Sequence, residues 1–120
     1  MRKLDIYWLP HCSTCKKAVA FLESKGVEFN FKRDIKEEKL SRKEIERLAS
    51  FAGGADSIFS RRAIKYRTMK LNERELSEKE MIRLMADEYT FIKRPLVVDG
   101  AKVVAGYSER KYEELLGGNQ

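Results

Sequence analysis

The chain has 120 residues, which suits one domain with a single core, and its 42% hydrophobic share falls in periodic blocks rather than in the sparse pattern of a disordered chain. Lys and Arg exceed Asp and Glu by 25 to 19, a net charge of +6 that suits acidic partners or anionic substrates and equally a well-solvated surface. No apolar run reaches membrane-spanning length, and the opening MRKLDIYWLP, interrupted by Asp5 and Pro10, is too short for a signal peptide, so the chain is expected in the cytoplasm with reduced thiols.

LDIYWL (4–9) predicts a strand, stopped by Pro10. CKKAVAFLESKG follows with Ala18, Val19, Phe21 and Leu22 at helical spacing and Gly26 as a stop. VEFNFKRDI (27–35) alternates Val27, Phe29 and Phe31 against Glu28, Asn30 and Lys32, the period of a half-buried strand. A helix joining two neighbouring strands makes them parallel. The middle is helical. Ser41 with Glu44, and Ser77 with Glu80, are capping-box pairs that precede apolar faces at Ile45, Leu48, Ala49 and Phe51 and at Met81, Ile82, Leu84 and Met85. Gly53-Gly54 ends the first of these helices. SRRAIKYRTMKL between them is a short helix or an ordered loop. PLVV (95–98), an Asp99-Gly100 turn and KVVAG (102–106) make an antiparallel hairpin. YSERKYEELL is a closing helix with Ser108 as N-cap, and the final GGNQ is expected to fray.

The two cysteines of the chain, Cys12 and Cys15 in HCSTC, fall where the first strand hands over to the first helix. Three readings compete: a redox pair, half of a metal site, or two inert buried thiols. Structural zinc needs four ligands, and Cys12, Cys15 and His11 are all the Cys and His the chain holds, so a metal would have to bridge two chains. A Cys-x-x-Cys that opens a strand–helix–strand unit is the spacing of redox motifs. Cys12 at the helix N-cap would meet unpaired N–H groups and the positive end of the dipole, with Lys16 and Lys17 nearby, so its thiolate is favoured; Cys15, one turn inside, could resolve a mixed disulfide. His11 is either a solvated loop residue or an imidazolium that helps lower the Cys12 pKa.

KRPLVV (93–98) places Arg94 before Pro95 at the start of a strand. Arg94 is either a surface residue beside a turn or a planar, permanently charged donor for a thiolate or oxyanion. The basic run 61–70 carries Arg61, Arg62, Lys65, Arg67 and Lys70 with no acid among them. It is either a solvated face, an anion-binding element or a docking surface. Tyr66 is its single aromatic, so the run offers no stacking platform and argues against direct nucleic-acid binding.

IYWLPHCSTCKKAVAFLESKGVEF, SIFSRR, KRPLVVDG and VVAGYSERKYEELL, in this order and spacing, resemble the arsenate reductase (ArsC)/Spx family of the thioredoxin-like superfamily over about residues 3–116. The resemblance implies an α/β thioredoxin-like domain over 1–120. Its four-stranded mixed sheet would run βαβ then ββα, with a helical insertion at approximately 38–90. It implies that Cys12 is the reactive cysteine, that the Arg94–Pro95 bond is cis, and that Arg94 matches an arginine of the reductase pocket. Arg62 matches the middle arginine, with Arg61 as the alternate register. Where the reductases carry a further arginine after the last strand, this chain has Gly106 and Tyr107, which counts against arsenate. Cys15 cuts differently. Glutathione-linked arsenate reductases use one essential cysteine in this loop, whereas Spx-type regulators carry the pair as a disulfide switch. Those regulators bind the C-terminal domain of the RNA polymerase α subunit through a surface whose glycine aligns with Gly54, itself an ordinary helix stop.

The implied function is an arsenate reductase-like, thiol-dependent oxidoreductase in which the Cys12 thiolate attacks and Cys15 or glutathione resolves. The alternative is an Spx-type regulator. Neither needs a metal or a bound cofactor. Glutathione enters as a co-substrate, and the substrate is a small oxyanion, a glutathione mixed disulfide or a protein disulfide.

Overall fold

A computed structural model describes residues 2–117. In chain order the elements are β1 (Arg2–Trp8), α1 (Ser13–Ser24), β2 (Val27–Asp34), α2 (Arg42–Ala52), α3 (Ile64–Thr68), α4 (Glu78–Asp87), β3 (Leu96–Asp99), β4 (Lys102–Ala105) and α5 (Glu109–Leu115), with single 3-10 turns at Ala55–Ser57, Leu71–Glu73 and Tyr89–Phe91. The expected fraying of GGNQ falls, apart from Gly117, outside the described residues. They group into two compact units, residues 2–38 with 94–117, and residues 39–93.

The first unit carries a four-stranded sheet in the order β2-β1-β3-β4. β1 runs parallel to β2 across the α1 crossover, and β3 runs antiparallel to both β1 and β4. This is the mixed sheet of a thioredoxin-like α/β fold, βαβ followed by ββα. One face presents Leu4, Ile6, Val97 and Val104 to Ala18, Val19 and Leu22 of α1 and to Tyr112 and Leu115 of α5. These side chains are buried, and each Leu, Ile and Val among them contributes about 1.5–3 kcal/mol.

β1 begins two residues before the expected start, because Arg2 and Lys3 already pair with Val27 and Glu28. It ends at Trp8, where the chain turns and the Leu9 carbonyl accepts the Cys12 N–H at 3.1 Å. β2 departs from its alternation. Leu4 pairs with Phe29 but Asp5 pairs with Phe31, so Asn30 is an extra residue in a bulge. A one-residue slip moves the following side chains to the opposite face. Phe31 therefore leaves the face of Phe29, packs edge-on against Tyr7 at 5.3 Å and stays 39% exposed. Lys32 now lies over the Trp8 and Phe29 rings. The β3–β4 hairpin also differs by one position. Asp99 pairs with Lys102, so the two-residue loop is Gly100-Ala101, with positive φ only at Gly100, the pattern of a type II′ turn.

In the second unit both capping boxes form. The Ser41 and Ser77 hydroxyls accept the Glu44 and Glu80 amides, and each glutamate accepts the serine amide in return. Gly53, left-handed at φ 92, ends α2: the Gly53 and Gly54 amides donate to the Ser50 and Ala49 carbonyls. The basic run contains the five-residue helix α3 between turns. Among the described residues no helix is long and apolar enough to cross a membrane.

Candidate functional site

Cys12 is the N-cap of α1, in extended conformation at φ −81 and ψ 123, and its carbonyl accepts the Lys16 amide at 3.0 Å. Ser13, Thr14 and Cys15 are then the first three helical residues. The neutral Cys12 thiol makes no formed capping bond. The amides of Thr14 and Cys15 nonetheless lie where an N-cap acceptor takes its hydrogen bonds, and an anion there gains most from them. No carboxylate stands in the first turn to oppose it.

The two thiols consequently diverge. Partial burial alone would raise Cys12, but it is outweighed by the Cys15 amide, the Cys15 side chain, the Thr14 amide and the Arg94 charge, and the net pKa falls below the ordinary 9.0. Cys15 is fully buried. Burial pushes its thiol up to about 12, against the pull of the Leu9 amide and with a further push from the Cys12 side chain. A half-exposed thiol that ionises easily and a buried one that does not thus share the first turn of one helix.

Arg94 is partly buried, its charge reaches both sulfurs, and its bond to Pro95 is cis. The first unit therefore brings Cys12, Cys15, Arg94 and Pro95 together. His11 is exposed in the turn before Cys12. Gly106 and Tyr107 follow β4. The Lys17 ammonium lies 5.0 Å from the Tyr107 ring centre, and the Tyr107 hydroxyl donates to Glu109.

Arg61, Arg62 and Gly54 belong to the second unit. Arg61 is tied to Asp56 at 2.6 Å and stacks over Phe59, whereas Arg62 is exposed and joins no ion pair among the described residues. Gly54 has φ 135 and ψ 159, a conformation open only to glycine, and opens the 3-10 turn whose Ala55 amide donates to the Glu78 carboxylate at 3.0 Å. The backbone therefore requires glycine here whatever binds nearby. Among the described residues no three His, Cys, Asp or Glu side chains gather as metal ligands.

Sequence reasoning missed Tyr112. It is fully buried beneath α1, and its hydroxyl donates to the Gly106 carbonyl at 2.6 Å. Burial, and next the charge of a Cys15 thiolate, push its pKa well above the ordinary value. Its place in the apolar stripe of the closing helix was the available signal. Nothing in that stripe marks the hydroxyl's partner.

The model of the ArsC family matches residues 7–115. The chain belongs to the ArsC family. The uncharacterized protein YusI of Bacillus subtilis (strain 168) is 39% identical to this ArsC-family chain, over 92% of the chain and 96% of YusI. The global transcriptional regulator Spx of the same organism is 29% identical over 94% of the chain and 86% of Spx. Among solved structures, a putative ArsC family related protein from Bacteroides fragilis superposes with a TM-score of 0.83 at 28% identity, covering 94% of the chain and 98% of its own.

Proposed function

We propose that the protein is an ArsC-type, thiol-dependent oxidoreductase of the cytoplasm that reduces disulfides, with Cys12 as nucleophile and Cys15 as resolving thiol. The observation that carries this reading is the opposite displacement of the two thiols on one helical turn, down at Cys12 and up to about 12 at Cys15. The Cys12 thiolate attacks one sulfur of a substrate disulfide; a Cys12–substrate bond forms and the other half leaves as a thiolate. Cys15, shedding its proton as it reacts, then attacks Sγ of Cys12. The substrate leaves reduced by two electrons and a Cys12–Cys15 disulfide remains. Two glutathione molecules restore the dithiol and depart as glutathione disulfide.

Arg94 favours the attacking thiolate through its charge. A disulfide is preferred to arsenate because Gly106 and Tyr107 replace the third arginine, and Lys17 is drawn onto the Tyr107 ring. Cys12→Ser should abolish reduction of a glutathione mixed disulfide. Cys15→Ser should retain the first step and accumulate a Cys12–glutathione adduct visible by mass spectrometry. Unchanged turnover in Cys12→Ser rejects the mechanism.

A second reading is favoured by the cysteine pair together with the similarity to Spx. In it, closing Cys12–Cys15 alters a surface that binds the RNA polymerase α subunit. Pull-down of the purified α C-terminal domain by reduced and oxidised protein tests it, and binding in neither state rejects it.

A further inference from the structure

The net charge of the chain is not spread over its surface. Arg61, Arg62, Lys65, Arg67 and Lys70, with no acid between them, account for five of the six net positive charges, so the rest of the chain is almost balanced. Two of these cations are already neutralised, Arg61 by Asp56 at 2.6 Å and Lys65 by Glu88 at 2.7 Å. Arg62, Arg67 and Lys70 join no ion pair among the described residues.

The same segment carries the two most exposed large apolar side chains among the described residues, Ile64 at 82% and Met69 at 50%. α3, on which Ile64 sits, buries none of its residues. An isolated five-residue helix is not stable through its own hydrogen bonds, and this one gains nothing from an apolar face of its own. The turn that follows holds Lys70 at φ 57, the one positive φ at a non-glycine among the described residues. Such a position is strained for a side chain and persists where the surrounding chain imposes it.

From this juxtaposition we infer that residues 62–70 form a docking surface for an acidic segment of another protein that carries an apolar anchor. Carboxylates on the partner meet Arg62, Arg67 and Lys70, and its anchor covers Ile64 and Met69. Charge complementarity identifies the sign of the occupant, and the exposed Ile64 identifies its class. A phosphate backbone gains nothing from an isoleucine, and Tyr66, which a base would need for stacking, is turned edge-on to Phe59 at 6.2 Å. One exposed isoleucine on a five-residue helix and a methionine just past its end are also far short of the amphipathic face that a membrane surface takes.

The test uses the reduced full-length protein and four labelled probes. These are a Glu-rich helical peptide of about 16 residues with leucines at i, i+3 and i+7, the same peptide with serines for leucines, a duplex DNA of matched charge, and phosphatidylglycerol vesicles. The leucine peptide should bind at least about tenfold more tightly than the serine peptide and the duplex, with amide shifts confined to residues 62–70. Ile64→Asp and Arg67→Glu should each weaken it by about tenfold while leaving far-ultraviolet circular dichroism and Cys12 alkylation unchanged. Equal binding of the two peptides, stronger binding of duplex or vesicles, no binding at all, or indifference to Ile64→Asp would each overturn the inference.

Discussion

Cys12 and Cys15 stand three residues apart on the first turn of α1, yet their thiols are displaced in opposite directions, Cys12 below 9.0 and Cys15 up to about 12. One helix terminus produces both effects. Its free amides face the N-cap sulfur, while the third helical position turns into the core under the sheet. An attacking thiol that ionises more readily than an ordinary one and a resolving thiol that holds its proton until it reacts follow from that single geometry.

Replacing Arg94 with Ala should raise the Cys12 pKa, since the guanidinium favours the thiolate. Iodoacetamide alkylation of Cys12 at pH 7 should slow. Disulfide reduction should fall further, on the order of a hundredfold in kcat/KM, because charge also develops on the leaving thiolate. Arg94→Lys should restore the alkylation rate more fully than turnover, a fixed planar donor not being the same as a point charge.

Stability in alkali should report on Cys15. Its folded pKa is raised, so the unfolded chain loses this proton near 9.0 while the folded chain keeps it to about 12. The contribution is complete below pH 9 and fades as pH climbs from there towards 12. Urea unfolding at pH 8 and pH 10.5 should show a smaller loss for Cys15→Ala than for the parent protein.

Tyr112→Phe removes one oxygen and leaves the ring packing intact. The Gly106 carbonyl then loses a 2.6 Å donor, with the ring fully buried. A cost of about 1–2 kcal/mol is expected, read as a lower urea midpoint at unchanged slope.

The two capping boxes, both in the second unit, can be tested in the full chain. Ser41→Ala and Ser77→Ala each unmake a reciprocal pair. Each should lower stability by about 1 kcal/mol, and the double variant by close to the sum, since the two caps share no partner.

Local chemistry was legible in the sequence and long-range pairing was not. Ser41–Glu44, Ser77–Glu80, the Gly53 stop and Cys12 at the N-cap each depend on a few consecutive residues, and they stand where the spacing put them. Phe31 was misplaced because the bulge at Asn30 arises from pairing with β1, where the Asn30 amide group donates to Asp5 at 3.0 Å. The hairpin loop was read one residue early for a similar reason. Asp99 is held in the strand by its pairing with Lys102 and by Arg2, which grips its carboxylate from across the sheet. Tyr112 shows the same limit within the site. It went unmarked in the closing helix, and its hydroxyl's partner lies six residues away, just past the end of a different element.

The most direct test of the central claim is the pH dependence of alkylation at each cysteine, resolved by mass spectrometry of the native protein. The expected result is a Cys12 rate that inflects below pH 9.0, with Cys15 unmodified throughout the neutral range. An inflection at or above 9.0, or modification of Cys15 ahead of Cys12, would contradict it.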